Sequence, residues 1–126
     1  MVLGVGIDLV QIGRVERLLE AKGDRALARL FTAAEIAYAR AHARPAMHLA
    51  ARLAAKEAAF KALAGSPDAR RIGWREVEVR PANGGPPSLA FHGRAEVRAR
   101  ELGVARVHLS LTHTADTAGA VVVLDR

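Results

Sequence analysis

The chain has 126 residues, of which 51% are hydrophobic, which suits one domain with a core of its own. A formal charge of +6 favours anionic partners such as phosphorylated small molecules, nucleic acid or an acidic protein. The absence of cysteine excludes disulfides, thiolate nucleophiles and thiolate zinc sites. No apolar run is long enough to cross a membrane, and the first residues lack a basic leader and a cleavage site, so we expect a cytoplasmic protein with no membrane partner.

The first predicted element is a buried strand over residues 2–10, rich in Val, Ile and Leu. Gly4 and Gly6 interrupt it where another backbone can approach closely. Asp8 lies within this apolar run, and an acid there is costly unless it is paired or binds a cation. The alternative is a capping role, in which Asp8 ends the strand or opens the helix that follows near Gly13.

The later elements are marked by clear local signals. Gly23 separates two short helices, Thr32 and Glu35 form a capping box, Pro45 suits the first turn of a long helix, and Asn83-Gly84 is a hairpin turn. Helices are predicted at about residues 14–22, 24–30, 32–42, 45–64 and 94–102, and further strands at about 74–80, 88–92, 107–114 and 118–124, with a loop over 65–73. This order predicts an α+β fold for one domain, residues 1–126, with a mostly antiparallel sheet packed against the long central helix.

The central helix carries the first candidate site. Between Ala54 and Ala62 its only charged residues are Lys56, Glu57 and Lys61, and Glu57 and Lys61, four apart, share a face. Charges on such an apolar helix are explained either by structural ion pairing or by a functional site.

The two closing strands add a histidine. Strand alternation places His113 on the apolar face, while the opposite face is polar. The apolar face comprises Val107, Leu109, Leu111 and His113, and the polar face His108, Ser110, Thr112 and Thr114. A histidine on an apolar face is either a hydrogen-bonded core residue or a functional group, and the two acids Asp8 and Glu57 add weight to the second explanation.

Three segments together resemble the holo-[acyl carrier protein] synthases, the small bacterial family of 4′-phosphopantetheinyl transferases. They are Gly4-x-Gly6-Ile7-Asp8-Leu9, Arg52-Leu-Ala-Ala-Lys56-Glu57-Ala-Ala-Phe-Lys61-Ala and Ser110-Leu-Thr112-His113-Thr114, with weaker matches at Phe31-Thr32-Ala33-Ala34-Glu35 and Asn83-Gly84-Gly85-Pro86. The resemblance covers essentially the whole chain. It implies the 4′-phosphopantetheinyl transferase fold and transfer of the phosphopantetheine arm of coenzyme A to a serine of apo acyl carrier protein in fatty acid biosynthesis, with release of adenosine 3′,5′-bisphosphate.

The resemblance also implies roles for individual residues. Asp8 and Glu57 match the ligands of Mg²⁺, which prefers oxygen donors and binds through one or two carboxylates together with substrate phosphates. Either Glu57 or a metal-held water deprotonates the serine, and Lys61 reaches the diphosphate. The other candidates lie towards coenzyme A: His113 near its phosphates, Ser110 and Thr112 as weaker contacts, and Arg52 and Lys56 at the 3′-phosphate or adenine, with a structural ion pair as the alternative for Lys56.

The resemblance implies two protein contacts as well. The family docks the acidic carrier protein on a basic early helix, where Arg14 matches, and charge and helical spacing add Arg17 and Arg25. The helix has fewer cations than is usual in the family, and the loop after the central helix, residues 64–68, departs from the family's Gly-rich pattern. The resemblance further implies a homotrimer with active sites between subunits.

Two other functions are compatible with parts of the sequence. The first is the same Mg²⁺-dependent transfer to a different carrier domain, in polyketide or peptide synthesis. The second is a small basic nucleic-acid-binding protein with Asp8 and Glu57 as buried structural acids, which predicts strongly salt-dependent binding without Mg²⁺. We expect no nucleic-acid partner, because five aromatic residues offer few stacking platforms and no nucleic-acid-binding motif is present.

Overall fold

The central helix lies across a three-stranded sheet in the computed structural model, which describes all 126 residues. Strands, helices and connections follow the predicted order. The elements are β1 (Val2–Gln11), α1 (Ile12–Leu30), α2 (Ala33–Arg40), α3 (Pro45–Leu63), β2 (Val77–Ala82), β3 (Gly85–Phe91), α4 (Gly93–Leu102), β4 (Arg106–His113) and β5 (Thr117–Asp125).

All strand pairs are antiparallel, which confirms the α+β prediction. The main sheet has the order β1-β5-β4, and β2 and β3 form a separate hairpin around Asn83 and Gly84. β3 passes close to β4 without forming a ladder with it. Pro86 and Pro87 lie at the start of β3 and lack backbone N–H groups, which removes one hydrogen-bond donor from the edge of β3 that faces away from β2.

The predicted helix signals have the expected effects. Thr32 and Glu35 form the capping box of α2, Pro45 occupies the first turn of α3, and α1 kinks at Gly23, whose φ is 61°. The prediction of a strand from residue 74 is wrong at its start: Trp74–Glu76 is a 3₁₀ turn, and β2 begins at Val77. The turn is held by the Glu76 carboxylate, which accepts a hydrogen bond from the backbone N–H of Gly73 (2.7 Å).

The contact between β1 and α3 is made by backbone atoms. A Cβ added to Gly6 would lie 1.7 Å from the carbonyl oxygen of Ala58, and one added to Gly4 would lie 2.3 Å from that of Ala62. The predicted close approach at these glycines is therefore present, and it brings the helix against the strand that carries Asp8. None of the helices has both the length and the apolar character needed to cross a membrane.

Candidate active site

Asp8, Glu57 and Lys61 lie together where α3 crosses β1. Asp8 is inside β1, opposite Ala120 of β5, so the alternative of a cap at the strand end is wrong. Its side chain shares the α3-facing side of the strand with Gly6. The Lys61 ammonium donates hydrogen bonds to Oδ1 of Asp8 (3.0 Å) and to the carbonyl oxygen of Ile7 (2.9 Å).

The two carboxyl groups perturb each other. Burial, hydrogen bonding with Asp8 and the negative charge of Asp8 raise the pKa of Glu57 to about 7. Burial acts against it, but hydrogen bonds with Glu57 and Lys61 lower the pKa of Asp8 below its ordinary value. Two neighbouring carboxyls with pKa values moved apart form a proton-sharing pair, an arrangement typical of catalytic or cation-binding sites.

The site also contains an oxygen with no partner. Oδ2 of Asp8 is buried and makes no hydrogen bond. A buried, unpartnered carboxylate oxygen beside a second carboxyl suits a hard cation, which would supply the missing interaction. The chain forms no cluster of three or more His, Cys, Asp or Glu residues, so a cation here would take only two protein carboxylates. That donor set fits Mg²⁺, which retains waters and shares its coordination with substrate phosphates.

The cationic residues of α1 lie at different distances from this pair. A guanidinium nitrogen of Arg14 is 3.6 Å from Oε1 of Glu57, so this exposed residue borders the acid pair directly. Arg17 and Arg25 are also exposed, but the kink at Gly23 separates Arg25 from the other two. Only Arg14 among the three therefore touches the candidate site.

A second cleft, of about 250 Å³, contains Arg52, Thr112 and His113. Arg52 is only 3% exposed, and its guanidinium lies over the ring of Tyr38, with the carbon 4.1 Å from the ring centroid. Nε of Arg52 is buried without a hydrogen-bond partner. The guanidinium is fixed in place by Tyr38, stays charged and has an unused donor. These properties make the cleft suitable for a phosphate. His113 keeps the predicted face of β4 but lies at the strand end and is exposed.

Sequence reasoning missed Tyr38 and His48, which also line this cleft. His48 and Arg52 are four residues apart, so they share a face of α3, and that spacing was the available signal. Tyr38 belongs to α2, and no spacing within one element reveals a contact between two helices.

Lys56 has the structural role that the sequence left open. Its ammonium is fully buried, lies 2.8 Å from Oε1 of Glu35 and donates hydrogen bonds to the carbonyl oxygens of Trp74 (2.8 Å) and Val77. All three N–H donors have partners, and none faces a cleft. A contact from Lys56 to the 3′-phosphate or adenine is therefore not compatible with this structure.

The acid pair and the Arg52 cleft lie on opposite sides of α3. Lys61 and Arg52 are nine positions apart, which is about two and a half helical turns and places their side chains on opposite faces. Asp8 and His113 also belong to β1 and β4, the two edge strands of the sheet. One chain thus presents two separated groups of candidate residues.

Ser110 and Thr112 belong to a third region, the sheet face that points away from α3. They lie beside Ile7 and Leu9, which are 59% and 68% exposed, along a shallow depression. Thr112 also reaches the Arg52 cleft, whereas Ser110 does not line it. The predicted contact of Ser110 with coenzyme A is therefore not made through that cleft.

The loop after α3 lines a wider hollow of about 890 Å³ with Phe60 and Trp74, whose rings meet edge to face with centroids 5.0 Å apart. Residues 68–71 form a 3₁₀ turn within this predicted loop. The side chains here are mainly apolar, and Arg70 is the one charged residue in the lining.

Comparison with known proteins gives one consistent family. The 4′-phosphopantetheinyl transferase superfamily matches residues 4–120. The holo-[acyl-carrier-protein] synthase of Anaeromyxobacter sp. (strain K) is 48% identical over 99% of this chain and 97% of that protein. The crystal structure of the holo-[acyl-carrier-protein] synthase from Neisseria meningitidis has a TM-score of 0.87 at 29% identity, over the whole of both chains. A Bacillus anthracis holo-(acyl-carrier-protein) synthase in complex with CoA (3′,5′-ADP) has a TM-score of 0.77 at 32% identity, over 98% of this chain and 96% of that one. The resemblance inferred from the three motifs is confirmed, and the chain belongs to the 4′-phosphopantetheinyl transferase superfamily.

Proposed function

We propose that this protein transfers the 4′-phosphopantetheine group of coenzyme A to a serine of apo acyl carrier protein, as a holo-[acyl carrier protein] synthase of fatty acid biosynthesis. The observation that carries the proposal is the acid pair of Asp8 and Glu57 beside Lys61, held by the glycine contact between β1 and α3. Relatives that match the chain over nearly its full length carry the name of this enzyme, and one was solved in complex with CoA (3′,5′-ADP).

The proposed reaction attacks a phosphorus atom surrounded by anionic oxygens, so it depends on charge neutralisation and positioning. Asp8 and Glu57 would hold Mg²⁺, which supplies positive charge to the diphosphate when bound. Lys61, next to Asp8, neutralises charge on the leaving phosphate. The serine proton would be accepted by Glu57 or by a water held beside it.

The nucleotide end of coenzyme A is assigned to the Arg52 cleft, with His113 and Thr112 as further contacts. The 3′-phosphate and the diphosphate are attached to one ribose, only a few bonds apart. An α-helix with its side chains is about 10–12 Å thick, so one nucleotide cannot contact Lys61 on one face of α3 and Arg52 on the other. A complete site therefore needs Asp8, Glu57 and Lys61 from one copy of the chain and the Arg52 cleft from another.

The exposed sheet face is the surface assigned to that second copy. β1 leaves Val5, Ile7 and Leu9 exposed in a row, and Val121 of β5 extends the same face. A contiguous apolar face of this kind is typical of an oligomer interface. The proposed assembly is the homotrimer that the family resemblance implies, in which every chain contributes to two sites.

The acidic carrier protein is assigned to α1, where Arg14 lies 3.6 Å from Glu57 and therefore borders the reacting groups. Arg17 and Arg25 extend the cationic surface. Because coenzyme A and acyl carrier protein are cytoplasmic molecules in bacteria, the proposal also places the enzyme in the cytoplasm.

The decisive experiment is mass spectrometry of apo acyl carrier protein after incubation with this protein, coenzyme A and Mg²⁺. We expect a mass gain of one phosphopantetheine that disappears with a chelator and with Glu57→Ala, while Glu101→Ala, an exposed acid on α4, serves as the matched control. Polyketide and peptidyl carriers are tested in parallel. No gain on any carrier would refute the transferase, whereas a gain that survives Glu57→Ala would refute the proposed metal site.

A further inference from the structure

The Arg52 cleft contains an imidazole, that of His48, to which the proposed reaction assigns no role. The ring of His48 lies against the ring of His42, with centroids 4.4 Å apart, and Tyr38 packs on both, at 5.6 Å and 4.4 Å. His113 enters the same cleft from β4. The cleft therefore combines a buried guanidinium with two imidazoles, His48 of α3 and His113 of β4, and the ring of His42, from the connection between α2 and α3, packs on His48.

His48 faces positive or neutral groups on every side. α2 and the turn after it contribute Tyr38 and His42, α3 contributes Arg52, and β4 contributes His113. No acid lines the cleft. Burial, together with the positive charges of His42, Arg52 and His113, lowers the pKa of His48. The imidazole is therefore neutral near physiological pH as long as the cleft holds no anion.

A bound phosphate would instead favour the protonated form of His48. Its negative charge would offset the surrounding cations and favour the imidazolium, which is also the stronger hydrogen-bond donor to a phosphate oxygen. Arg52 cannot supply a pH response of this kind, because a guanidinium remains protonated throughout the accessible range. A proton taken up on binding would therefore go to an imidazole.

We propose that His48 is a further nucleotide-binding residue, and that it binds the 3′-phosphate of the nucleotide as an imidazolium, so that binding takes up one proton from solvent. This inference rests on the proposed function, because it takes the 3′-phosphate of coenzyme A as the group that enters the Arg52 cleft. It adds to that function a specificity determinant for the phosphorylated ribose and a defined pH dependence.

The test is calorimetric titration of the protein with adenosine 3′,5′-bisphosphate in two buffers that differ in ionisation enthalpy. Titration is done at or above about pH 7, where phosphate monoesters, with a second pKa of about 6, are mostly ionised and contribute little to the proton balance. We expect net proton uptake, and affinity about three- to tenfold tighter at pH 7 than at pH 8, since one fully coupled proton gives about tenfold per pH unit.

Two variants locate the proton. His48→Phe keeps an aromatic ring against Tyr38 and should abolish most of the uptake, while His92→Gln is the matched control, because His92 contacts Glu78 (3.2 Å) beyond the other end of β3. Adenosine 5′-monophosphate, which lacks the 3′-phosphate, should bind with little uptake.

Equal uptake by the wild-type protein and His48→Phe, or no uptake by the wild type, would overturn the role of His48. If carrier modification and nucleotide binding are normal in that case, the proposed function stands and only this inference fails. If the nucleotide does not bind and no carrier is modified, both are overturned.

Discussion

Gly6→Ala should separate the acid pair by forcing apart the two elements that carry it. The new Cβ would lie 1.7 Å from the carbonyl oxygen of Ala58, whereas contacts under 3.0 Å are essentially never seen for Cβ atoms. α3 and β1 must therefore move apart by about 1.3 Å locally, because the obstacle is backbone and not a flexible side chain. Asp8 lies two residues from Gly6, and Glu57 precedes Ala58, so the shift acts directly on the carboxyl pair.

Overpacking of this kind costs about 1–3 kcal/mol in unfolding free energy, and a displacement of about 1 Å at a reacting centre costs about 100-fold in rate. We therefore expect Gly6→Ala to lose about 100-fold in carrier modification while losing only part of its stability. The assays are initial rates by mass spectrometry and urea denaturation. Gly13→Ala is the control: it lies in α1, its new Cβ would meet only the end of the Arg17 side chain at 3.3 Å, and Ala is the better helix former. If Gly6→Ala matches the rate and stability of Gly13→Ala, the role assigned to the backbone contact is wrong.

Three further predictions address stability, metal binding and assembly. Lys56→Met should lower the unfolding free energy by about 3–5 kcal/mol in urea denaturation, because it leaves Glu35 buried without its partner, whereas Lys61→Met, at an exposed position, should abolish transfer with little loss of stability. The fold raises the pKa of Glu57 from the ordinary value of 4.5 to about 7. The metal-free protein should therefore lose stability as the pH rises from 4.5 to 7, because Glu57 is charged in the unfolded chain over this range but still holds its proton in the folded protein. Mg²⁺ should raise the melting temperature more at pH 8 than at pH 6, and a pH-independent effect of Mg²⁺, or one that persists in Glu57→Gln, would contradict the site. Ile7→Asp should shift the protein to monomers in sedimentation analysis, and an unchanged oligomer would contradict the assigned interface.

The sequence predicted the parts of this site whose signals are local. Gly4 and Gly6 indicated a close backbone contact, and the spacing of Glu57 and Lys61 placed them on one face of α3. These predictions succeeded because the periodicity of a strand or a helix determines which face each side chain occupies, whatever element packs against it. The capping box of Thr32 and Glu35 was predictable because both of its hydrogen bonds join residues only three apart in the sequence.

The failures depended on contacts between distant elements. Lys56 and Glu57 are adjacent, and sequence alone could not show that one turns into the core towards Glu35 and the other towards Asp8. Tyr38 and His48 meet only because α2 packs on α3, a contact that no periodicity encodes. The strand predicted from Trp74 failed because the Glu76 carboxylate holds Gly73 in a turn, so a side-chain hydrogen bond overrode the alternating pattern.

The division of the site between two copies can be tested by mixing two inactive variants. Lys61→Ala removes the diphosphate contact on one face of α3, and Arg52→Ala removes the phosphate contact on the other. Each site in a closed ring takes Lys61 from one chain and Arg52 from a neighbouring chain. After random exchange, a site is intact only when Lys61 comes from an Arg52→Ala chain and Arg52 comes from a Lys61→Ala chain. An equal mixture should therefore recover about a quarter of the wild-type rate. Each variant alone should stay inactive, and recovery should require conditions that allow subunit exchange. If both halves of a site belonged to one chain, every chain in the mixture would carry a defect and no activity would return, so the absence of recovery after verified exchange would refute the shared site.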